Sequence, residues 1–436
     1  MSGGAETIVA LSSGVLPSGV AIVRVSGPKA GFALKQLCGS VPEPRRATLR
    51  AVRAAGGELI DQALVLFFPA PQSFTGEDVA ELQVHGSRAV VSALLAELLS
   101  LDDVGMAEPG DFARRAFENG KLDLADVDAL RDLVDAETES QRKLALARQA
   151  GNLRHKVEAW RKALVSLLVQ IEAELDFSDE DDVGTLDASG ISAALHQLRN
   201  EWEVHLRDYA RGQLIRDGFR VVLIGAPNSG KSSLLNALAN SDIAIVTDEA
   251  GTTRDLKDVA VNIAGQLFII VDSAGLRHAE SKAEQEGVRR ALEAIESADL
   301  CLLLRAPDVD TEYDVDIPKH APILRVASKS DLGVVTGCDL VLSALTGEGI
   351  AHLLEILKER ADSRLEGGEI LASQLRDRTA LERALAVTRD LELHIDELEL
   401  CAEGIRRAIF ELDRLIGRVD VEDMLDELFS GFCIGK

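Results

Sequence analysis

One segment constrains this chain more than any other. The apolar run Val221-Val-Leu-Ile224 leads straight into Gly225-Ala-Pro-Asn-Ser-Gly-Lys-Ser232, and Ser233-Leu-Leu-Asn-Ala-Leu238 continues at helical spacing. A G-x-x-x-x-G-K-S loop between a buried strand and a helix wraps phosphate: its glycines let the backbone approach the anion, and successive N–H groups with the helix N-terminus supply partial positive charge. In that arrangement Asn228, Ser229, Gly230, Lys231, Ser232 and Ser233 line the phosphates, with the Lys231 ammonium at the terminal phosphates and the Ser232 hydroxyl on Mg²⁺. Such a loop also dictates its surroundings. The runs Gln266–Val271, Leu300–Leu304, Ile323–Val326 and Leu340–Leu342, each followed by polar turns, predict a doubly wound, mostly parallel sheet.

The order of the following motifs narrows the ligand to a guanine nucleotide. Ala250-Gly-Thr-Thr-Arg-Asp255 offers Thr252 and Thr253, of which Thr253 is the expected second Mg²⁺ ligand in a loop that orders around a γ-phosphate. Asp272-Ser-Ala-Gly275 ends a strand run, placing Asp272 in the outer shell of the metal and Ser273, Ala274 and the Gly275 N–H by the γ-phosphate. Ser328-Lys-Ser-Asp331 supplies a carboxylate for guanine N1 and N2, hydrogens that adenine does not present, and Ser343-Ala344 can add a backbone N–H to guanine O6. Where the usual base motif begins with Asn, this chain has Ser328, a loss of about 1 kcal/mol if one net hydrogen bond goes. Leu276 stands where Ras-type enzymes carry a water-positioning Gln, so Asp255, Glu280, Glu284 and Glu286 remain open as carboxylates to orient water, and Asn228 as a cation ligand.

Outside this region the chain reads differently at each end. At 436 residues, two to three domains are expected. Residues 7–121 alternate β-branched runs (Val20–Val25, Ala63–Phe68, Val79–Val84) with a helix-like stretch from Arg88 to Leu101, a small mixed α/β domain. Leu153, Val157, Trp160, Leu164, Leu167, Ile171 and Leu175 then recur at three- and four-residue spacing, as do Leu391, Ile395, Leu398, Ala402, Ile405, Ile409, Leu412 and Ile416. Two helical blocks on either side of an α/β segment imply one bundle interrupted by an inserted domain. The fold class is thus α/β plus all-α.

A net charge of −26 repels polyanions unless a local basic face overrides it. Arg114, Arg115, Arg142, Lys143, Arg148, Arg154 and Lys156 are the basic positions available, each also read as ordinary helix surface. No apolar run is long enough for a membrane span and no signal pattern opens the chain, so a cytosolic protein without membrane attachment is expected. Five scattered cysteines argue against a disulfide framework or zinc site; Cys38, Cys301, Cys338 and Cys401 read as buried small side chains. The acidic stretch from Asp176 to Asp182 reads as a solvated loop.

The chain resembles the MnmE (TrmE) family of tRNA-modifying GTPases. The likeness rests on Pro227-Asn-Ser-Gly-Lys-Ser-Ser233, Gly251-Thr-Thr-Arg-Asp255, Asp272-Ser-Ala-Gly-Leu-Arg277 and the terminal Phe432-Cys-Ile-Gly-Lys436. Thr7–Ala10, Gly19–Gly27, Ser73–Asp78 and Lys121–Leu124 extend it over essentially the whole length. The resemblance implies an N-terminal tetrahydrofolate-binding and dimerisation domain (1–121), a discontinuous helical domain (122–214 and 372–436), and an inserted Ras-like P-loop GTPase domain (215–371). It implies a homodimer that works with an FAD-dependent partner, MnmG (GidA), in a heterotetramer or larger. Together they would add an aminomethyl or carboxymethylaminomethyl group at C5 of the wobble uridine of certain tRNAs, with carbon from methylene-tetrahydrofolate, the bound cofactor being a 5,10-methylene or 5-formyl tetrahydrofolate.

By position the resemblance also implies K⁺ held by Asn228, Thr247, Glu249 and Thr252, with Asp248, Ala250 and Gly251 in the same nucleotide loop, and hydrolysis activated when two G domains meet. Glu284 matches the water-orienting glutamate. Arg24, Glu81, Lys121 and Lys436 match folate contacts, chemically apt for a ligand with carboxylates and a pterin edge. Cys433 is a candidate nucleophile or adduct site beside that pocket, or a positioning residue. A GTP-controlled regulatory switch or ribosome-assembly factor without carbon chemistry is the alternative, and formyl-tetrahydrofolate binding separates the two.

Overall fold

The computed structural model describes residues 6–176, 188–245, 258–272, 292–309, 322–367, 370, 373–391, 397–419, 429, 432 and 435. The chain divides into two compact units. One comprises Met1–Arg131, Arg154–Arg161 and Ile409–Lys436, the other Asp132–Leu153 and Lys162–Ala408.

In the first unit, strands β1 (Thr7–Leu11), β2 (Ser18–Ser26), β3 (Thr48–Arg53), β4 (Leu59–Phe68), β5 (Val79–Gly86) and β6 (Val104–Met106) form a sheet in the order β3-β4-β5-β2-β1-β6. All pairs are antiparallel except β1 with β6. The period-two alternation puts Val23, Val25, Val65, Leu82 and Val84 inward, where they pack with Ala33, Leu34 and Leu37 of helix α1 (Ala30–Cys38) and Leu94 and Leu98 of α2 (Arg88–Leu99). Helix α2 starts where Ser87 Oγ accepts the Val90 N–H, an ordinary N-cap. Helices α3 (Asp111–Glu118) and α4 (Leu124–Val134) follow, and Phe112 is wholly buried.

In the second unit, β7 (Phe219–Gly225) lies inside the sheet β12-β11-β10-β7-β9-β8. Its neighbours are β8 (Asp258–Ile263), β9 (Gln266–Asp272), β10 (Leu300–Arg305), β11 (Ile323–Ala327) and β12 (Leu340–Val341). Every pair is parallel except the β8–β9 hairpin, so the mostly parallel sheet expected from the sequence is present. Being covered on both faces, these strands read as continuous apolar runs. Helix α8 (Lys231–Ala239) and, later, α9 (Ile350–Leu365) contribute Leu234, Leu238, Leu353 and Leu357 to the main core of this sheet.

Further helices are α5 (Glu139–Gln149), α6 (Asn152–Asp176), α7 (Ala188–Asp217), α10 (Leu375–Asp390) and α11 (Leu398–Leu415). The predicted stripes are buried at Leu153, Val157, Trp160, Leu164, Leu167 and Ile171 and at Ala402, Ile405, Leu412 and Ile416, while Leu175, Leu398 and Ile409 are half-buried. Ile395 and residues 177–182 of the acidic stretch lie outside the described residues, and Asp176, read as loop, is the exposed last residue of α6.

The chain enters the sheet-bearing segment after α7 and leaves it before α10, and polar side chains join the two crossings. Arg216 Nη1 donates to the Ser373 carbonyl and to Gln374 Oε1, both at 2.6 Å, and Gln374 Nε2 donates to Asp132 at 3.1 Å. Arg148 corrects a surface reading: it is buried and paired with Asp377, because α5 turns this position toward the start of α10. Cys301 and Cys401 are buried as expected, but Cys38 and Cys338 are only partly so. Burial pushes the Cys301 thiol up to about 11, which leaves it unreactive.

Candidate functional site

The phosphate loop sits at the carboxyl end of β7, where ligands bind in open parallel sheets. Gly225 has φ +147°, and a Cβ there would lie 2.6 Å from the Leu304 carbonyl oxygen and 2.7 Å from Ser229 Oγ, so no other residue fits without displacing the loop. Asn228, exposed, also takes a left-handed φ of +64°. Lys231 is buried and donates to the Gly225 and Ala226 carbonyls at 2.9 and 2.8 Å, curling its ammonium over the loop where the terminal phosphates of a nucleotide belong. Ser232 Oγ donates to Asp272 Oδ2 at 2.7 Å. The two positions expected to serve Mg²⁺ thus meet, one from the first turn of α8 and one from the last residue of β9. Ser233 is exposed beside them.

The base loop follows β11. Ser328 is buried; its hydroxyl lies 2.6 Å from the Ser229 carbonyl oxygen and 3.1 Å from that of Arg305. Asp331 Oδ1 accepts the Ser343 hydroxyl at 2.5 Å, which ties the carboxylate to the turn that follows β12. Lys329, at φ +53°, reaches Asp308 at 2.7 Å, and that hydrogen bond holds the Asp308 carboxyl below its ordinary range. Asp308, and Glu348, which accepts the Ser330 hydroxyl at 2.9 Å, were missed by sequence reasoning. Neither belongs to a motif, and each is found only through its partner in the folded loop.

The structure therefore brings together Asn228, Ser229, Gly230, Lys231, Ser232, Ser233, Asp272, Ser328, Lys329, Asp331, Ser343 and Ala344. Thr247, Asp248, Glu249, Ala250, Gly251, Thr252, Thr253, Ser273, Ala274, Gly275 and Glu284 lie outside the described residues, as do Asp255, Leu276, Glu280 and Glu286.

A second polar cluster lies in the first unit. Arg24 on β2 and Glu81 on β5 are cross-strand partners, and Nη2 of Arg24 is 3.0 Å from Glu81 Oε1. The guanidinium lies over the rings of Phe74 at 5.5 Å and Phe112 at 5.7 Å, and donates to the Gly435 carbonyl at 3.5 Å. Phe74, Phe112 and Gly435 were not read from the sequence as part of this group. Lys121 is exposed, its stem lying against Gly76, where an added Cβ would meet Lys121 Cε at 3.2 Å. Cys433 and Lys436 lie outside the described residues. The two rings and the carboxylate hold the Arg24 guanidinium in one orientation, from which its remaining N–H groups can meet an anionic ligand.

Residues 7–121 match the family model for the GTP-binding protein TrmE N-terminus, and residues 124–433 match that for the MnmE helical domain. The chain is 48% identical over 444 residues to the tRNA modification GTPase MnmE of Rhizobium meliloti (strain 1021), covering 99% of each. It is 45% identical over 442 residues to that of Agrobacterium fabrum (strain C58 / ATCC 33970), covering all of both. The chain belongs to the MnmE family of tRNA modification GTPases. Membership makes this chain a GTPase involved in tRNA modification. Among solved structures, Aquifex aeolicus Era bound to GDP and aluminium fluoride aligns at 24% identity over 38% of this chain and 66% of that one, with a TM-score of 0.27. Among the described residues no helix is long and apolar enough to cross a membrane.

Proposed function

We propose that this protein hydrolyses GTP to drive modification of tRNA: with an FAD-dependent MnmG-type partner it adds an aminomethyl or carboxymethylaminomethyl group at C5 of the wobble uridine, taking the carbon from a tetrahydrofolate derivative. The observation that carries the hydrolytic half is the Ser232–Asp272 hydrogen bond beside the curled Lys231, which assembles a phosphate and metal cradle. The Ser232 hydroxyl is a hard oxygen donor suited to Mg²⁺, Asp272 would stand in the outer shell behind it, and Thr253 would complete the protein's share of ligands. Mg²⁺ bound there neutralises the charge that develops on the phosphates.

Leu276 supplies no hydrogen bond to water; by its match to the family, Glu284 orients the attacking water, and Asn228, Thr247, Glu249 and Thr252 would hold K⁺, whose charge would serve as an inserted arginine does in other systems. Asn228, exposed on the loop with its left-handed backbone, is free to face a second G domain, which supports a homodimer in which G domains meet. Arg24, Glu81, Lys121 and Lys436 hold the folate, and the framing of Arg24 by Phe74, Phe112 and Glu81 supports that assignment. Cys433 is proposed at the edge of that pocket. The domains run 1–121, 122–214 with 372–436, and 215–371, and the protein works in the cytoplasm.

The deciding experiment is the steady-state GTP hydrolysis rate in KCl against NaCl at matched ionic strength. Turnover faster in K⁺ by tenfold or more, on the order of one charge-assisted contact at the transition state, is expected. Equal rates overturn the K⁺ mechanism, and absence of turnover in both salts overturns the hydrolytic reading.

A further inference from the structure

Ser328 departs from the residue usual at the head of the base loop, and its surroundings say what the departure does. The loop after β11 stands across the end of β10 from the phosphate loop after β7. The Arg305 carbonyl at that end already accepts the Ser328 N–H at 2.8 Å. The hydroxyl hydrogen is left for the Ser229 carbonyl at 2.6 Å, so this one residue, through its backbone N–H and its side chain, ties together the ends of three parallel strands. Ser229 and Ser328 are both out of solvent, so breaking the tie strands a buried carbonyl.

A serine hydroxyl has one hydrogen to donate. An asparagine amide has two, enough to hold the phosphate loop and also to meet a base. Asp331, locked by Ser343, takes the N1 and N2 hydrogens of guanine. The opposite, imidazole edge of the purine presents the N7 acceptor. Residue 328, between Asp331 and the phosphate loop, is the position from which a side-chain donor would serve it.

We propose that Ser328 is a positioning residue that locks the base loop to the phosphate loop at the Ser229 carbonyl and leaves guanine N7 unread, so that the base is held only through Asp331 and the Ser343-Ala344 turn. This rests on the GTP reading above.

The test is equilibrium binding of GDP and 7-deaza-GDP, which lacks the N7 acceptor, to the full-length protein by calorimetry. The wild type is expected to bind both within about twofold of each other, less than one net hydrogen bond. Ser328→Asn is expected to prefer GDP by roughly three- to tenfold, the worth of one net hydrogen bond. Ser328→Ala is expected to weaken both nucleotides by a common factor of that order, because the phosphate loop loses its tie while N7 was never contacted. A tenfold preference of the wild type for GDP, or no preference in Ser328→Asn, overturns the proposal. If the wild type binds neither nucleotide, the GTP reading fails instead.

Discussion

Arg148 Nη1 donates to Asp377 Oδ2 at 2.7 Å, with 1% and 0% of the two side chains exposed, although 229 residues separate them in the chain. The Ser373 hydroxyl accepts from the same guanidinium nitrogen at 2.9 Å, and Asp377 also accepts the Gln374 backbone N–H at 3.2 Å as part of the capping box that starts α10. The pair lies beside the Arg216–Gln374–Asp132 contacts, where the chain enters and leaves its parallel-sheet segment. Charges without solvent need each other, so the crossing is held by a pair whose halves cannot be removed singly.

Asp377→Ala is therefore expected to destabilise the protein by about 3–5 kcal/mol, since it leaves Arg148 buried without its counter-charge. Arg148→Met with Asp377→Leu is expected to regain most of the loss, as apolar replacement of a whole buried pair does. Urea unfolding followed by circular dichroism measures both, and a single variant as stable as the wild type contradicts this account.

The same pair sets a dependence on pH. Burial pushes the Asp377 carboxyl up, but Arg148, Arg376 and its hydrogen bonds outweigh burial and hold it below its ordinary value. A carboxyl depressed in the folded state contributes stability in full above its unfolded value of about 3.9 and loses it as pH falls through the folded value. Asp132, where burial wins and the carboxyl is raised, works in the opposite sense, losing stability as pH rises through the ordinary carboxylate range. Stability measured between pH 3 and 6 is expected to fall less steeply with acid in Asp377→Asn than in the wild type at the low end, and Asp132→Asn to flatten the upper part.

Asp331→Asn replaces one of the two acceptor oxygens by a donor, which can still accept the guanine N1 hydrogen but opposes the N2 hydrogens. GTP affinity is expected to fall by roughly 10- to 100-fold, the worth of a hydrogen bond to a charged group, with xanthosine triphosphate gaining in its place. Competition binding with the two nucleotides checks this, and unchanged preference for GTP removes Asp331 from base recognition.

Ser232→Ala deletes both a proposed Mg²⁺ ligand and the hydrogen bond to Asp272. Turnover at saturating Mg²⁺ is expected to drop by at least tenfold, while GDP affinity in EDTA stays within about twofold. A parallel loss of affinity in EDTA would mean that the hydroxyl serves loop structure and not the metal.

Arg24→Met keeps the apolar stem over Phe74 and Phe112 but removes the charge. Formyl-tetrahydrofolate binding to the full chain is expected to weaken by roughly 10- to 100-fold, with GTP hydrolysis unaltered. Retention of folate binding would move the pocket elsewhere and favour the regulatory-switch alternative.

What the sequence determined by itself is local. The strand, loop and helix around Lys231 follow from apolar period, glycine placement and helix spacing within twenty residues, and the position of Asp272 at a strand end follows from its apolar run. The helical stripes were legible for the same reason, since burial of one face repeats every three or four residues. The tertiary structure decided the partners. Ser328 meets Ser229 across 99 residues, Arg148 meets Asp377 across 229, and Arg24 meets the Gly435 carbonyl across 411. No periodicity encodes such meetings: a polar side chain takes the donor or acceptor that chain closure brings beside it, and a buried one must take it or leave a group unsatisfied. That is why Arg148 reads as helix surface from its neighbours in sequence and proves to be interior once Asp377 stands opposite.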